Sequence, residues 1–258
     1  MSHQARKRFG QHFLSATGVV SDIINAVAAK PDDILVEIGP GLGALTVPLA
    51  NTGAELHAIE FDRDLAAPLR KKFADFDNVT IHECDALKFD YATLGDDIRI
   101  VSNLPYNIST PMLFRLIEYK QHIRDLHLML QKEVVDRMAA APGSKRYGRL
   151  SIMLGCHMQV QPLFDVPPDA FSPPPKVNSA VVALRPLPDS AFQVLNHGEF
   201  SALVTKAFSK RRKTVRNALK GLANDEQLLE AGIDPGSRPE QIAIRNWVAL
   251  TNRLSLSD

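Results

Sequence analysis

The sequence predicts an α/β fold, a doubly wound and mostly parallel sheet of seven strands, followed by a small all-helical C-terminal domain. Short apolar runs alternate with helical stretches up to about residue 185, which is typical of a parallel sheet with helices on both faces. Only helical periodicity follows after that point. Pro186 and Pro188 mark the boundary, so we expect one domain over residues 1–188 and a second over 189–258.

Five of the strands are predicted in the first half of the chain, each as a short, mostly apolar run. In order they are Ile34–Ile38, Glu55–Glu60, Val79–His82, Ile98–Val101 and Leu126–Leu130. Helical stretches near residues 62–74 and 109–119 separate some of them, and parallel strands need such crossover connections. These strands should therefore lie side by side and point the same way.

The last two strands are predicted at 158–164 and 180–184, with a proline-rich loop instead of a helix between them. Pro162 cannot donate a hydrogen bond to a neighbouring strand, which restricts the first of the two to an edge or a bulge. We expect an antiparallel pair at the edge of the sheet. The helices of the C-terminal domain are predicted at 199–219, 225–231 and 239–254.

The composition is that of a soluble globular protein, with 258 residues of which 45% are hydrophobic and 23% charged. No apolar run reaches the roughly 18 residues that span a bilayer, and the basic start of the chain is not followed by the apolar core of a signal peptide. Cys84 and Cys156 are far apart and the eight histidines are scattered, so we expect reduced thiols and no metal site. We expect a cytoplasmic monomer without membrane contact.

Charge is unevenly distributed along the chain, although the net charge is only +1. Residues 1–21 carry three basic side chains and residues 201–220 carry seven, and neither stretch has an acidic one. The densest run, which we predict to lie on a helix, is Lys210, Arg211, Arg212 and Lys213. Segregated positive charge favours a polyanion such as nucleic acid as the partner of this face. A merely solvated basic helix is the alternative.

A glycine-rich stretch follows the first predicted strand. Glycines there allow a tight turn and a close approach of the backbone to a ligand. A phosphate-binding P-loop would need Gly-Lys-Ser/Thr at its end, and a dinucleotide fingerprint would need the spacing G-x-G-x-x-G. Gly39, Gly41 and Gly43 are spaced G-x-G-x-G and no such lysine follows. A nucleoside ligand without a pyrophosphate fits better, and S-adenosylmethionine is the leading candidate.

Acidic residues follow the next two strands. Glu60 ends the second strand candidate, and a carboxylate there can accept hydrogen bonds from both hydroxyls of a ribose. Asp85 follows the third, where its carboxylate suits the amino group of an adenine. Either residue alone is more often a helix cap or a surface charge. Their placement after successive strands favours the nucleoside interpretation, because ligands of such sheets bind at the carboxyl ends of the strands.

The tetrapeptide Asn103-Leu104-Pro105-Tyr106 follows the fourth predicted strand and has residue types that can hold a flat base with an amino group. The Asn103 side-chain oxygen and a backbone carbonyl, of Leu104 or Pro105, can each accept one N–H of the amine. Pro105 fixes the backbone, and Tyr106 offers a ring on which the base can stack. The alternative is an ordinary turn between a strand and a helix, in which Asn and Pro are common.

In order along the chain, these motifs resemble those of class I (Rossmann-like) methyltransferases that modify the amino group of adenine. Stretches at residues 6–14, 130–134, 171–179 and 210–216 narrow the resemblance to the bacterial small-subunit (16S) rRNA adenine N6,N6-dimethyltransferases, the KsgA/RsmA family. The resemblance implies dimethylation of two adjacent adenosines near the 3′ end of 16S rRNA with S-adenosylmethionine. It also implies action on the small ribosomal subunit or its precursor, and hence a role in ribosome biogenesis.

The same resemblance implies roles for individual residues. The expected cofactor contacts are His12, Leu14, Gly39, Gly41, Glu60, Asp85 and Asn103. The residues expected to hold the target adenine are Asn103, Leu104, Pro105 and Tyr106, with Phe171 as a second stacking face. The basic run Lys210–Lys213 is expected to bind RNA outside the catalytic domain.

Three other functions stay open at this point. A macrolide-resistance rRNA methyltransferase is similar in the first domain, but residues 171–179 and 210–216 match it less well. A DNA adenine methyltransferase usually carries Asp or Asn, two prolines and then Tyr where this chain has Asn103–Tyr106. A non-catalytic RNA-binding factor for ribosome assembly or transcription would keep the same fold, although the intact motifs argue against a loss of the chemistry.

Overall fold

The computed structural model describes residues 12–210 and 212–256, which fall into two compact units. The first unit contains the described residues up to Val135 together with Gln161–Pro186. The second contains Asp136–Val160 and the described residues from Leu187 onwards. The break after Pro186 lies close to the expected boundary. Residues 136–160, in contrast, group with the C-terminal unit and not with the first domain, where we expected them.

Nine strands form two sheets among the described residues. In chain order they are β1 (Phe13–Leu14), β2 (Ile34–Ile38), β3 (Glu55–Glu60), β4 (Val79–Glu83), β5 (Ile98–Asn103), β6 (Ile123–Gln131), β7 (Met158–Val166), β8 (Phe171–Ser172) and β9 (Ser179–Pro186). The large sheet has seven strands in the order β4-β3-β2-β5-β6-β9-β7, and β1 pairs with β8 in a small sheet of its own.

The large sheet is mostly parallel, as the sequence predicts. β2 runs parallel to β3 and to β5, while β3 runs parallel to β4 and β5 to β6. β9 is antiparallel to β6, and β7 lies at the outer edge, where its proline is tolerated. The predicted doubly wound sheet of seven strands is therefore confirmed.

The strand order reverses between β2 and β5, because the chain first adds β3 and β4 on one side of β2 and then places β5 on the other. Glu37 lies opposite Val101 in this pair, so the residues just after β2 lie beside the end of β5. Ligands of open α/β sheets bind at such a switch point, outside the carboxyl ends of the strands. The fold thus brings the glycine-rich turn next to Asn103.

The helices of the first unit are short connections between strands. They are α1 (Thr17–Val27), α2 (Thr46–Ala50), α3 (Arg63–Lys72) and α4 (Ser109–Glu118), with α5 (Lys132–Met138) passing into the second unit. Helices α3 and α4 lie where the sequence predicts them. Asp62 caps the N-terminus of α3, because its side chain accepts a hydrogen bond from the Asp64 N–H at 3.1 Å.

The second unit is built from helices around buried aromatic side chains. They are α6 (Arg149–Gly155), α7 (His197–Ser209), α8 (Val215–Ala218), α9 (Asp225–Glu230) and α10 (Ile244–Ser255). Phe200 and Trp247 are fully buried in its core. The C-terminal part of the chain is therefore helical, as predicted.

The prediction of one continuous helix over 199–219 is wrong, because α7 ends at Ser209 and α8 begins at Val215. The N–H of Val215 donates to the Ser237 carbonyl at 2.7 Å, and that of Arg216 donates to the Pro235 carbonyl at 3.3 Å. In a continuous helix these two N–H groups would donate to carbonyls of the preceding turn, and here they donate to a distant part of the chain. The basic run Lys210–Lys213 lies between two helices and not on one, and Arg211 itself lies outside the described residues.

None of the helices that the structure describes is both long and apolar enough to cross a bilayer. Within residues 12–210 and 212–256, no three His, Cys, Asp or Glu side chains come together in a way that could hold a metal ion. Cys84 and Cys156 are both reduced, and Cys156 is buried.

Candidate active site

A cavity of about 400 Å³ opens in the first unit at the carboxyl ends of the parallel strands β2, β3, β4 and β5. The residues predicted to contact a cofactor all line it: His12, Leu14, Gly39, Gly41, Glu60, Asp85 and Asn103. The rest of the tetrapeptide lines it as well: Leu104, Pro105 and Tyr106. The fold therefore brings together the predicted cofactor contacts and the predicted base-holding residues.

The glycine-rich turn after β2 follows a path that glycine adopts most easily. Gly39 and Gly41 have positive φ angles of 69° and 59°. A Cβ atom on Gly41 would lie only 3.2 Å from the Phe13 ring. The Gly39 N–H donates to the Ile59 carbonyl at 2.9 Å, which fixes the turn to β3. The bare backbone forms one wall of the cavity and leaves room for a ligand.

Glu60 is buried at the end of β3 and is held by two backbone donors. Its Oε2 atom accepts from the Gly41 N–H at 3.1 Å, and Oε1 accepts from the Asp62 N–H at 2.8 Å. Burial raises the pKa of Glu60, although these N–H groups oppose the rise. Each carboxylate oxygen has a second lone pair, so the fixed side chain can still accept hydrogen bonds from two ligand hydroxyls.

Asp85 and Phe61 form another part of the cavity wall. The Asp85 Oδ1 atom accepts from the Leu87 N–H at 3.0 Å, which orients the carboxylate in the turn after β4. Phe61, the residue after Glu60, is 63% exposed. A flat ligand can pack on such a ring. The sequence analysis did not single out Phe61, and its position directly after a carboxylate at a strand end is the signal that would have identified it.

The Asn103 side chain is oriented by the segment that leads into β1. Its Nδ2 atom donates to the His12 carbonyl at 3.2 Å. This contact occupies the donor end of the amide on the protein side, so Oδ1 is the end of the amide left to accept a hydrogen bond from a ligand. The role of Asn103 as an acceptor for an amino group stays a prediction, with which this orientation of the amide is compatible.

Leu104 and Pro105 fix the backbone of the tetrapeptide. The Leu104 N–H donates to the Met129 carbonyl of β6 at 3.1 Å, and the Leu104 side chain is buried. The Pro105 carbonyl accepts from the Ile108 N–H at 3.1 Å and from the Ser109 hydroxyl at 3.2 Å. Because the Pro105 carbonyl already accepts two hydrogen bonds, the Leu104 carbonyl is the better candidate for the second amine acceptor.

Tyr106 is half-buried at the cavity, with contacts on its ring and on its hydroxyl. The His12 ring lies 5.7 Å from it, between ring centroids, at an interplanar angle of 33°. The Tyr106 hydroxyl lies 2.7 Å from the Ser179 hydroxyl. The His12 Nδ1 atom in turn lies 2.8 Å from the Pro173 carbonyl oxygen. The Tyr106 ring, which is predicted to stack on a base, therefore contacts His12 from the start of the first unit's sequence and Ser179 from near its end.

Glu37, on β2, is a cavity-lining carboxyl group that the sequence analysis missed. It is 2% exposed, and its Oε2 atom has no hydrogen-bond partner among the described residues. Burial raises the pKa of Glu37 to about 8. A single acidic residue in an otherwise apolar strand was the available signal, because burying a carboxyl group is costly unless it is paired or hydrogen-bonded. A positively charged ligand group beside the Oε2 atom would lower the pKa of Glu37 again and favour the charged carboxylate.

Phe171 does not have the position expected of a second stacking face. Its side chain is 3% exposed, packs in the hydrophobic core of the first unit, and is not among the residues that line the cavity. Phe171 instead pairs with Leu14, which joins β8 to β1. In this structure it is a core residue that fixes the segment before the cavity, because a fully packed ring has no free face for a base.

The basic run of the second unit lies beside a separate surface concavity. Phe208, Ser209, Lys210, Arg212, Lys213 and Asn217 line this concavity, which has a volume of about 670 Å³. The three cationic side chains are exposed. A concave surface with several cations and polar groups suits phosphate groups. We call these six residues the basic concavity.

Comparison with known proteins gives a family and several close relatives. The model of the ribosomal RNA adenine dimethylase family matches residues 2–256. The chain is 52% identical to a ribosomal RNA small subunit methyltransferase A of Methylococcus capsulatus, over 99% of this chain and 100% of that protein. It is 51% identical to the protein of the same name from Dechloromonas aromatica, over 98% of this chain and 99% of that protein.

Solved structures are similar over nearly the whole chain. A dimethyladenosine transferase from Plasmodium falciparum superposes with a TM-score of 0.83 at 28% identity, covering 95% of this chain and 98% of the other. The 23S rRNA methyltransferase ErmE has a TM-score of 0.71 at 24% identity, covering 94% and 99%. The similarity to ErmE shows a shared fold.

Proposed function

The chain belongs to the ribosomal RNA adenine dimethylase family, and we propose that it dimethylates two adjacent adenosines near the 3′ end of 16S rRNA. Family membership makes it a methyltransferase that modifies ribosomal RNA, and its curated relatives at about 50% identity are named for the small subunit. We further propose that the enzyme acts on the small subunit or an assembly intermediate of it, and so takes part in ribosome biogenesis.

S-adenosylmethionine fits the cavity at the strand ends. The volume suits a small-molecule cofactor, and the glycine turn leaves a wall of bare backbone. We assign Glu60 to the ribose hydroxyls and Asp85 to the adenine amino group, while the Glu37 Oε2 atom, which has no hydrogen-bond partner among the described residues, is available to a polar group of the ligand. When bound, the cofactor supplies a methyl group activated by a sulfonium.

Asn103 and Leu104 are assigned to the amino group of the target adenine. The nitrogen of this amine is a weak nucleophile, because its lone pair is delocalised into the ring. Two acceptors, the Asn103 Oδ1 atom and the Leu104 carbonyl, would hold both N–H groups and favour a pyramidal nitrogen whose lone pair points at the methyl group. Alignment of this kind supplies a large part of the rate increase when two reactants are held together.

The site needs no strong base. The amine loses its proton readily once it has been alkylated, and the neutral Asn103 side chain tolerates the transient positive charge. A once-methylated amine still has one N–H, which one acceptor can hold while the second methyl group is added. A base inside a duplex cannot reach such a cavity, so the target adenosine must be unpaired or flipped out, with its ring on Tyr106.

RNA binding is assigned to the basic concavity of the second unit. Its exposed cations are suited to phosphates, which contribute affinity without reading sequence. A large-subunit rRNA methyltransferase would need a similar catalytic cavity. We favour the small subunit because full-length relatives at 51–52% identity are named for it, whereas ErmE resembles this chain at only 24% identity.

The observation that carries the catalytic assignment is the Asn103 amide, fixed by His12 with its acceptor end available at the cavity. The test is mass spectrometry of 16S rRNA from cells that lack the gene. We expect the dimethyladenosines to be missing, to return with the wild-type gene, and to stay missing with Asn103→Ala. Normal dimethylation in the deleted strain would contradict the proposed function.

A further inference from the structure

Ser179 is a buried hydroxyl with a contact at the active-site cavity. It is the first residue of β9 and is 0% exposed. Its backbone is fixed because it lies opposite Gln131 of β6 in the antiparallel pair. Its Oγ atom lies 2.7 Å from the hydroxyl of Tyr106. A buried hydroxyl is costly without a hydrogen-bond partner, and here the partner is the hydroxyl of Tyr106, a residue that lines the cavity.

Tyr106 is held at its backbone by the turn into α4 and at its hydroxyl by Ser179. At its backbone end, the neighbouring Pro105 carbonyl accepts two hydrogen bonds that close the turn into α4. At its far end, the hydroxyl contact adds to the packing of the His12 ring and restrains where the Tyr106 ring points, because a tyrosine rotates about two side-chain bonds. A hydrogen bond from a rigid strand removes that freedom.

We propose that Ser179 is a positioning residue, which sets the plane of the Tyr106 ring for stacking on the target base. The inference rests on the proposed function, since it assumes that Tyr106 contacts an adenine. It also gives the segment 171–179 a role in support of the site. Pro173 holds His12, and Ser179 holds Tyr106, while Phe171 is buried.

The second methyl transfer should depend on this support more than the first. An unmodified amine offers two N–H groups, so Asn103 and Leu104 can orient it from two directions. A once-methylated amine offers one, and the stacked ring must then define more of the orientation. Loss of the Ser179 hydroxyl should therefore cause N6-monomethyladenosine to accumulate, which a loss of stability alone would not do.

The first test observes Tyr106 directly and needs no substrate. The chain has four tyrosines, so a protein labelled with 3-fluorotyrosine gives a small set of ¹⁹F resonances, and Tyr106→Phe assigns one of them. We expect Ser179→Ala to shift or broaden that resonance and to leave the other three in place. An unchanged Tyr106 resonance would overturn the positioning role, whatever the enzyme methylates.

The second test is a double-mutant cycle on undermethylated small-subunit particles. Ser179→Ala and Tyr106→Phe should each lower turnover roughly 3- to 10-fold, the effect of losing one hydrogen bond, and the double variant should be no worse than either. Both should raise the ratio of monomethyl to dimethyl product, with cofactor affinity unchanged. Independent, multiplicative effects, or a normal product ratio, would contradict the proposal.

Ser151→Ala is the matched control. Ser151 is also buried, and its hydroxyl donates to the Arg137 carbonyl at 2.5 Å within the second unit. We expect this variant to lose stability and to keep a normal product ratio. If it accumulated monomethyl product as well, that product would report general destabilisation and the role of Ser179 would be refuted. If the wild-type enzyme transferred no methyl group, the proposed function would be refuted instead. The ¹⁹F spectra would still show whether Ser179 positions the Tyr106 ring.

Discussion

The cavity at the strand ends and the basic concavity hold their polar side chains in different ways. In the cavity, Glu60, Asp85 and Asn103 are each fixed by a hydrogen bond to the backbone. In the basic concavity, Lys210, Arg212 and Lys213 are exposed side chains at the surface. Fixed groups can align a reaction, whereas exposed cations provide attraction that depends on salt. Mutations in the cavity should therefore lower turnover or cofactor binding, whereas mutations in the basic concavity should lower salt-dependent affinity for RNA.

The largest effect is expected for Asn103→Ala. Turnover should fall by about 10²-fold or more, the scale seen when a preorganised polar contact is lost. Affinity for the RNA particle should change little, because most of the interface is untouched. Asn51→Ala provides a control, since Asn51 is an exposed amide of the first unit that is not among the residues lining the cavity. Turnover within a few-fold of wild type for Asn103→Ala, measured in single-turnover assays, would remove Asn103 from the chemistry.

Glu60→Ala should weaken cofactor binding by ~1.5–3 kcal/mol, the range for hydrogen bonds to a charged group. Isothermal titration calorimetry with S-adenosylmethionine measures the change. Glu83→Ala is a matched control, because Glu83 lies opposite Glu60 on β4 and pairs with Arg70 at the surface. Equal affinities for Glu60→Ala and wild type would show that this carboxylate does not bind the ligand.

Glu37 predicts a dependence of stability on pH in the absence of ligand. Burial raises the pKa of Glu37 from 4.5 to about 8, so in this range the folded protein keeps a proton that the unfolded chain releases. The free energy of unfolding should then fall as pH rises from 4.5 to 8, by up to about 1.4 kcal/mol per pH unit. In denaturant titrations, the free energy of unfolding of Glu37→Gln should rise relative to that of wild type as the pH increases over this range. A constant difference between the two proteins would contradict the raised pKa.

The smallest effect is expected in the basic concavity. Replacing Arg212 and Lys213 by Ala should lower affinity for the RNA particle. The slope of log K against log salt concentration should also become less negative by roughly one to two units, because each phosphate contact contributes about 0.7–0.9 to that slope. Cofactor affinity should stay the same, because the cavity is unaltered. A salt titration of particle binding tests this. An unchanged slope would mean that the concavity is a solvated surface without a part in RNA binding.

The sequence predicted the cavity well because its signals are local and the fold brings them together by a general rule. Each of Gly39, Glu60, Asp85 and Asn103 follows or ends a parallel strand, and such strand ends meet at one edge of the sheet. Knowing the strands and their direction was enough to place these residues in one cavity.

The remaining features depend on tertiary contacts that no local pattern encodes. No Gly or Pro interrupts residues 199–219, yet the helix is broken between Ser209 and Val215, and the first two N–H groups of α8 donate to Ser237 and Pro235. Phe171 is buried by its pairing with Leu14, which is far away in sequence. Residues 136–160 group with the C-terminal unit, although the chain returns to the sheet afterwards.

The most direct test of the account counts methyl groups on a defined substrate. Small-subunit particles from cells that lack the gene are incubated with the purified protein and labelled S-adenosylmethionine, and the modified nucleosides are mapped. We expect four methyl groups per particle, as two adjacent N6,N6-dimethyladenosines near the 3′ end of 16S rRNA, and far fewer in the same time with Asn103→Ala. Label at other nucleosides, on large-subunit RNA, or at equal levels with Asn103→Ala would contradict the account.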